Sequence, residues 1–284
     1  MEIIVGKTAG FCFGVKNAVT NVEEELEKSK KVYCLGELVH NNKVTENLTK
    51  KGAIFIEDVE EAKGKVVIRS HGVAKEIYDK AKKLNLEILD LTCPKVLHIH
   101  KIAEEYAKKD YYIFVIGKKE HPEMLGTVSF CGENYSVIEK EEDIKEAIEK
   151  YQKSMISKAL VIAQTTFSME NFGKFVKEIQ DKISSQNLEI KNTICSATKQ
   201  RQEETEQIAK DVDGMVIVGG KHSSNSTKLY ELAKKYCKNV IFVEDAEEID
   251  IKNIEKSGKI GIMAGASTPQ ESIEKTVEKI REIC

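Results

Sequence analysis

Residues 87–93 of this chain read EILDLTC, and residues 189–195 read EIKNTIC. Both are short runs of strand-forming residues that end at a cysteine, and the run EIIV at residues 2–5 leads in a similar way to Cys12. Apolar residues at helical spacing follow Cys12 and Cys93, and an unbroken polar stretch follows Cys195. Such self-similarity at three places indicates an internal repeat.

The repeat extends to polar residues at fixed distances from the cysteines. One polar residue follows each cysteine after 28 positions: His40, His121 and Ser223. A second polar position follows after 72 residues in the second and third repeats, at Thr165 and Ser267, and after 59 residues in the shorter first repeat, at His71. Alternating strands alone would not explain these offsets, so we interpret them as equivalent sites in three similar units.

The pattern between these positions predicts the fold. Each repeat alternates short apolar runs with helical stretches, which is typical of a parallel sheet covered by helices. We therefore predict an α/β protein of three pseudo-equivalent lobes, each a small, mostly parallel four-stranded sheet with helices, arranged around a common centre. The expected lobes are 12–92, 93–194 and 195–284. The third repeat ends before its fourth strand, so we expect the N-terminal segment 1–11 to supply it.

Three of the seven cysteines are candidate metal ligands. Cys12, Cys93 and Cys195 each precede a helical stretch, and a helix N-terminus stabilises the thiolate form that binds metal. Three thiolates fit either a [4Fe–4S] cluster with one iron open to substrate or a zinc ion with a fourth ligand. The other cysteines are expected to be buried or terminal: Cys34, Cys131, Cys237 and Cys284.

The polar positions predict an anion site. Histidine, hydroxyl and amide side chains near helix starts are suited to a phosphate or diphosphate. The candidates are His40, His71, His121, Thr165, Thr166, Ser223, Ser224, Asn225, Ser267 and Thr268. Glu123 follows His121 and Pro122 on a proline-stiffened loop. An apolar cavity would raise the pKa of its carboxyl group, which makes it a candidate proton donor near neutral pH.

Composition narrows the class of protein. The net charge is −3, with 41% hydrophobic and 32% charged residues, so a strongly basic nucleic-acid binder is not indicated for this segment. The N-terminal run lacks the pattern of a secretory signal peptide, and no stretch approaches the roughly 18 apolar residues of a membrane span. We expect a cytoplasmic protein with neither a membrane nor a nucleic-acid partner.

Short motifs along nearly the whole chain resemble those of the 4-hydroxy-3-methylbut-2-enyl diphosphate reductases, which catalyse the last step of the non-mevalonate isoprenoid pathway. In order, they are GFCFGV at 10–15, LVHN at 38–41, RSHG at 69–72, TCP at 92–94, HPE at 121–123, QTT at 164–166, CSAT at 195–198 with RQ at 201–202, SSNS at 223–226 and AGAS at 264–267. Their combination is specific, although no single motif would be.

The resemblance implies a chemistry and a cofactor. It implies a central [4Fe–4S] cluster held by Cys12, Cys93 and Cys195, whose fourth iron binds the substrate hydroxyl group. Two electrons and two protons would remove this hydroxyl as water and give isopentenyl and dimethylallyl diphosphate. Electrons would come from ferredoxin, flavodoxin or a similar carrier.

The resemblance also implies roles for the polar residues. Glu123 would relay protons, with Thr165 and Thr166 near the substrate hydroxyl. The diphosphate would bind among His40, His71, His121, Ser223, Asn225 and Ser267. The chain departs from the family's usual residues at Phe13, Lys95, Leu97 and Lys118. We expect Lys118 to add positive charge near the substrate.

Other functions use the same residues. A zinc-dependent hydrolase of a phosphorylated substrate would need the three cysteines and several histidines. A non-catalytic iron–sulfur redox sensor would need the cysteines and neither the anion site nor Glu123. A nucleotide-binding module is disfavoured, because the chain has no phosphate-loop pattern of the type Gly-x-x-x-x-Gly-Lys-Ser/Thr.

Overall fold

The computed structural model describes residues 1–250 and 258–283, so Cys284 and part of the predicted third lobe lie outside the described residues. The strands are β1 Glu2–Val5, β2 Val32–Leu35, β3 Ala53–Ile56, β4 Lys65–Ile68, β5 Glu87–Asp90, β6 Tyr111–Ile116, β7 Tyr135–Ile138, β8 Lys158–Ala163, β9 Leu188–Ile190, β10 Gly214–Val218, β11 Asn239–Val243 and β12 Lys259–Ala264. The α-helices are α1 Phe13–Ser29, α2 Asn42–Lys50, α3 Lys75–Lys83, α4 Pro94–Ala107, α5 Pro122–Val128, α6 Glu142–Lys153, α7 Met169–Gln180, α8 Ser196–Asp211, α9 Ser224–Tyr236 and α10 Gln270–Ile283. Two 3-10 helices cover Val59–Glu61 and Ala246–Glu248.

The strands form three four-stranded sheets with the same internal order. The orders are β3-β2-β4-β5, β7-β6-β8-β9 and β11-β10-β12-β1, and every pairing within them is parallel. The fourth strand of the third sheet is the N-terminal one, with Val5 opposite Ile262. The predicted α/β class, the threefold repeat of the sheet and the donation of the N-terminal strand are therefore confirmed.

The chain forms two compact units. One comprises Met1–Lys16, Val39–Leu48 and Ser196–Cys284, and contains the sheet β11-β10-β12-β1. The other comprises Asn17–Leu38 and Thr49–Cys195, and contains the remaining two sheets. The lobe boundaries 12–92, 93–194 and 195–284 stay a prediction, because two of the sheets share one unit.

The central strands are buried on both faces. In the sheet β7-β6-β8-β9, Phe114 packs on one side with Phe175 of α7, and Ile113 packs on the other side with Ile99 of α4. Helices on both faces explain why these strands read as continuous apolar runs, whereas alternation would be expected of a half-exposed sheet. The loops at the strand ends thus extend from a rigid frame.

A loop of the same kind follows the first strand of each repeat, β2, β6 or β10. The backbone amide at its first glycine donates to the end of a neighbouring strand: Gly36 to Ile56 at 2.8 Å, Gly117 to Ile138 at 2.9 Å and Gly219 to Val243 at 2.9 Å. These loops carry the predicted polar residues His40, His121 and Ser223. Among the helices within the described ranges, none combines the length and the apolar character that crossing a membrane requires.

Candidate active site

The three candidate cysteines occupy the same backbone position in their repeats. The amide of each donates to a carbonyl in the loop after the third strand of its sheet: Cys12 to Ala266 at 3.1 Å, Cys93 to Ser70 at 3.0 Å and Cys195 to Thr165 at 3.0 Å. Each cysteine also stands directly before a helix, α1, α4 or α8, and Pro94 occupies the first turn of α4. The helix N-terminus favours negative charge at each of these positions.

Exposure separates these cysteines from the others in the described chain. Cys12, Cys93 and Cys195 are partly exposed, whereas Cys34, Cys131 and Cys237 are buried, as expected. Burial raises the pKa of the Cys34 and Cys131 thiols to about 12, so both stay protonated. No disulfide joins cysteines of the described segments. Three accessible thiols at helix N-termini are a donor set that fits thiolate-bound metal, either an iron–sulfur cluster or zinc.

The equal spacing of 72 residues from the cysteines predicts that Thr165 is equivalent to Ser267. The backbone hydrogen bonds show that this alignment of the two repeats is wrong by one position. Cys195 bonds to the carbonyl of Thr165, and Cys12 bonds to that of Ala266, so Thr165 corresponds to Ala266. Thr166 is then the counterpart of Ser267. The second repeat is longer by one residue in this part of the chain, which a constant offset from the cysteine cannot reveal.

Glu123 is a buried carboxylic acid at the start of α5. Its side chain is 2% exposed, and its carboxylate accepts bonds from the Thr165 amide at 2.6 Å and the Thr165 hydroxyl at 2.5 Å. Burial raises the pKa of Glu123 to about 7 against the opposing effect of the two Thr165 bonds. The predicted rise in pKa is confirmed, and Glu123 can both hold and release a proton near neutral pH.

His71 and His121 lie together, and His121 is two residues before Glu123 in the chain. Their ring centroids are 5.5 Å apart in an edge-to-face arrangement, and His121 is the N-cap of α5. The Nδ1 atom of His121 accepts from the Glu123 amide at 3.1 Å, so in the neutral ring the proton is on Nε2. His121 can therefore present an N–H donor to an anion while it caps the helix that carries Glu123.

The loop after β8 is tied to the loop after β6. The side chain of Gln164 accepts from the Lys118 amide at 3.0 Å, and it donates to the Thr166 hydroxyl at 3.1 Å. Gln164 thus fixes the two threonines relative to the segment that leads to His121. The Lys118 side chain itself is exposed.

The other compact unit holds a second polar group. Ser223 caps α9 through the Ser226 amide, and Ser267 donates to the His40 carbonyl at 3.0 Å. Asn225 is buried, and its Nδ2 atom has no hydrogen-bond partner among the described residues. An unpaired buried donor is costly unless a ligand accepts from it, so this position suits an anion.

Two predicted residues of this group differ in their environment. The hydroxyl of Thr268 donates to the Val218 carbonyl at 3.0 Å, which links the ends of β12 and β10 and makes Thr268 structural. Ser224 is the first residue of α9 and is partly exposed. The predicted polar residues are therefore divided between the two units, with Cys12, His40, Ser223, Ser224, Asn225 and Ser267 in one and His71, His121, Glu123, Thr165 and Thr166 in the other.

Sequence reasoning gave no structural role to two basic residues that lie next to the segment carrying His71. Arg69 lies beneath Gly36, where a Cβ atom would come within 2.3 Å of its Nη1 atom. His100 is 4% exposed and stacks on Phe130 at 4.4 Å, and burial lowers its pKa to about 4. The position of Arg69 next to Ser70 and His71 was the only signal in the sequence, since neither contact follows from spacing.

Gly72, which follows His71, supports a testable prediction. Its φ is +73°, and an added Cβ would lie 2.9 Å from Cε1 of His100. We expect Gly72→Ala to lower the free energy of unfolding by about 3 kcal/mol, from backbone strain and overpacking together. Urea denaturation measures this loss.

Gly64 provides the matched control. Its φ is +92°, and an added Cβ would meet no atom within 4 Å. Gly64→Ala should therefore cost only the backbone strain, about 1 kcal/mol. Equal losses in the two variants would show that the contact of Gly72 with His100 has no energetic weight.

Comparison with known proteins identifies the family. The family model described as "LytB protein" matches residues 3–281. This chain belongs to the LytB family. Curated members include the 4-hydroxy-3-methylbut-2-enyl diphosphate reductase of Thermoanaerobacter sp. (strain X514), which is 40% identical over 287 residues, covering 99% of this chain and 97% of the relative.

Solved structures of LytB-family proteins agree with the fold. One, described as (E)-4-hydroxy-3-methyl-but-2-enyl diphosphate reductase, the terminal enzyme of the non-mevalonate pathway, is 37% identical. It has a TM-score of 0.71 and covers 99% of this chain and 100% of its own. The E-1-hydroxy-2-methyl-but-2-enyl-4-diphosphate reductase from Plasmodium falciparum is 30% identical, with a TM-score of 0.89, and the match covers 98% of this chain and 87% of that one.

Proposed function

We propose that this LytB-family chain is a 4-hydroxy-3-methylbut-2-enyl diphosphate reductase. It would cleave the bond between carbon and the 4-hydroxyl group, consume two electrons and two protons, and release water with isopentenyl or dimethylallyl diphosphate. Family membership supports the reaction. Within the structure, the observation that carries the proposal is Glu123, a buried acid whose pKa of about 7 suits proton delivery to a leaving hydroxyl.

The proposed cofactor is a [4Fe–4S] cluster on Cys12, Cys93 and Cys195. Their shared backbone bond, their partial exposure and their positions before helices support the assignment. When bound, the cluster supplies electrons and a Lewis-acidic iron for the substrate hydroxyl. The same thiols would suit zinc, but a zinc hydrolase leaves the family's reductase chemistry without an electron route. The redox-sensor alternative leaves Glu123 and the buried Asn225 amide without a role.

The proposed diphosphate ligands are His40, His71, His121, Ser223, Asn225 and Ser267, with Thr166 and Ser224 beside them. His121 offers Nε2–H, and Asn225 offers a buried amide that lacks a partner in the described chain. Ser223 brings the N-terminus of α9, whose backbone amides favour an anion. Binding the diphosphate here would orient the allylic carbon chain and lower the barrier by fixing its geometry.

Glu123 and Thr165 form the proposed proton path. With Glu123 ionised, the Thr165 hydroxyl donates to it. With Glu123 protonated, the direction can reverse, so that Glu123 donates to the Thr165 oxygen and Thr165 donates to the substrate hydroxyl. The burial that raises the pKa of Glu123 also excludes water from this path.

The remaining partner is an electron carrier. Each turnover consumes two electrons, which must be replaced, so an external one-electron donor such as ferredoxin or flavodoxin is required. We propose the cytoplasm as the compartment, where such carriers and unpaired thiols coexist.

Metal analysis of protein purified without oxygen tests the cofactor. We expect a brown protein with about four irons and four sulfides per chain, and turnover of the diphosphate with dithionite and a viologen. A colourless protein with one zinc, which takes up no cluster on reconstitution, would overturn the reductase and favour hydrolysis. A reconstituted cluster with no turnover would favour the sensor.

A further inference from the structure

The segment between β1 and Cys12 is braced from a distant part of the chain. Residues 6–11 separate the strand from the cysteine and form neither helix nor strand. The Glu204 carboxylate on α8 accepts from the Lys7 amide at 2.7 Å and from the Thr8 amide at 2.8 Å. It also accepts from the Thr8 hydroxyl at 2.5 Å. One side chain thus holds three donors of this segment.

A second residue of α8 holds the other end of the same segment. The Nη2 atom of Arg201 donates to the Gly10 carbonyl at 2.6 Å, and the Arg201 side chain is 4% exposed. Its Nη1 atom donates to the Ala197 carbonyl at 3.2 Å, in the first turn of the same helix. The two residues on α8 therefore fix the backbone on both sides of Ala9, shortly before Cys12.

Two glycines let the segment lie close to its supports. A Cβ at Gly6 would come within 1.9 Å of Sδ of Met263 and 3.4 Å of Cδ of Glu204. Gly10 has a φ of +94°, a conformation that a side chain would strain. The backbone conformation of residues 6–11 is therefore constrained by close contacts and by the positive φ of Gly10.

The segments before the other two cysteines each contain a side-chain hydrogen bond between neighbouring residues, and Thr193 also bonds to Ala163 of β8. Leu91 and Thr92 alone separate β5 from Cys93, and Asp90 accepts from the Thr92 amide at 2.9 Å. Before Cys195, Asn192 accepts from the Ile194 amide at 3.1 Å. Cys12 lacks such a local brace in the described structure, and its connecting segment is the longest of the three.

We propose that Glu204 is a positioning residue for Cys12. Its carboxylate accepts hydrogen bonds from the segment before Cys12, as Asp90 and Asn192 do in the segments before Cys93 and Cys195. These bonds restrain the position of Cys12. Arg201 supports the same segment. The consequence for the metal centre rests on the proposed function, because only there does Cys12 act as a ligand, whereas the restraint of the segment is a property of the chain itself.

Hydrogen exchange of backbone amides tests this restraint in the protein as purified. Glu204→Gln keeps the size of the side chain and removes its charge. We expect the Lys7 and Thr8 amides to exchange about tenfold faster, because the charge-assisted bonds that they donate to Glu204 are weakened. The Cys12 amide should also exchange about tenfold faster, because the segment that leads to it is then held less firmly. The Cys93 and Cys195 amides, which carry the same backbone bond, should keep their rates and serve as internal references.

Two further variants sharpen the test. Glu203→Gln is the matched control, since Glu203 is the exposed neighbour on the same helix, and it should leave all these rates unchanged. Thr8→Val removes one of the three donations and should give a smaller increase, with little added effect in the double variant. If Glu204→Gln does not fold, the amide exchange rates of Thr8→Val still test the same contact, because this variant removes the hydroxyl donor to Glu204.

The readouts separate the outcomes. Faster exchange at Lys7 and Thr8 with an unchanged rate at Cys12 would overturn the proposal, because Glu204 would then brace only its own neighbours. In cluster-loaded protein, Glu204→Gln should release iron to a chelator about tenfold faster than Glu203→Gln, and equal rates would overturn the effect on the metal centre. If the wild-type protein holds no iron, the reductase proposal fails, while the exchange rates still decide the role of Glu204.

Discussion

Replacing Cys93 with serine is expected to abolish the iron–sulfur cluster and, with it, turnover. Loss of even a residue that only supports a metal ligand costs about 10–100-fold in affinity or activity, so loss of a ligand should cost more than about a hundredfold. Cys12→Ser and Cys195→Ser should behave alike, since all three cysteines share one backbone position. Iron and sulfide content, the visible spectrum and kcat measure the effect.

Cys131→Ala is the control for this experiment. Cys131 is buried in the core, and its pKa of about 12 keeps it a neutral thiol. Its replacement should lower the free energy of unfolding by an amount on the order of 1 kcal/mol and leave iron content unchanged. A Cys93→Ser protein with wild-type iron and sulfide would remove Cys93 from the set of ligands.

Glu123→Gln is expected to lower kcat by about 10²–10⁴-fold, the usual contribution of a positioned general acid. The amide keeps the shape of the carboxyl group and can still accept from the Thr165 amide, so KM should change little. The proton is lost in this variant, and a large fall in kcat with unchanged KM would identify Glu123 as the donor. Glu120→Gln, an exposed residue shortly before it, is the matched control.

The pH dependence of the wild-type enzyme should report the same group. Glu123 must be protonated to donate, and its pKa is raised from 4.5 to about 7. We expect kcat to be constant below pH 7 and to fall above it, and the falling limb should be absent from the residual rate of Glu123→Gln. A wild-type limb that falls from pH 4.5 would instead indicate an ordinary, solvated carboxyl group.

Stability should follow the same titration. The folded state binds the Glu123 proton more tightly than the unfolded state, so its contribution to stability is fully present below pH 4.5 and is lost as the pH rises through about 7. Unfolding midpoints at pH 5.5 and pH 8 should therefore differ more for the wild type than for Glu123→Gln. Equal differences would mean that Glu123 is hydrated in the folded protein.

Most of the fold prediction depended on the threefold internal repeat of the sequence. The strand after the first helix of each repeat is apolar, as in β6, and is followed by a glycine such as Gly117, so the parallel sheets could be predicted from the local pattern. The pairing of β1 with β12 followed from a missing fourth strand. The lobe boundaries stay a prediction, since nothing in local pattern determines how strongly one sheet packs on another.

The candidate site could be predicted only where chemistry is local. The pKa of Glu123 was expected to rise if its carboxyl group lay in an apolar cavity, and its burial raises the pKa to about 7. The equivalence of Thr166 with Ser267 was missed because one added residue shifts the register of a loop without changing its composition. The bond of Thr8 to Glu204 joins positions 196 apart in the chain, and no spacing rule connects them.

The position of β1 has a consequence for synthesis on the ribosome. Val5 and its partner Ile262 lie 257 positions apart in the chain, so the sheet β11-β10-β12-β1 cannot be completed until the whole stretch between them has been synthesised. At 5–20 residues per second, β1 waits roughly 10–50 s for its neighbour. During that time β1 lacks the neighbour with which it pairs, and an unpaired strand can associate with other chains, so we expect chaperones that bind nascent polypeptides to bind β1. The segment that carries Cys12 would accordingly be the last of the three cysteine segments to reach its folded conformation.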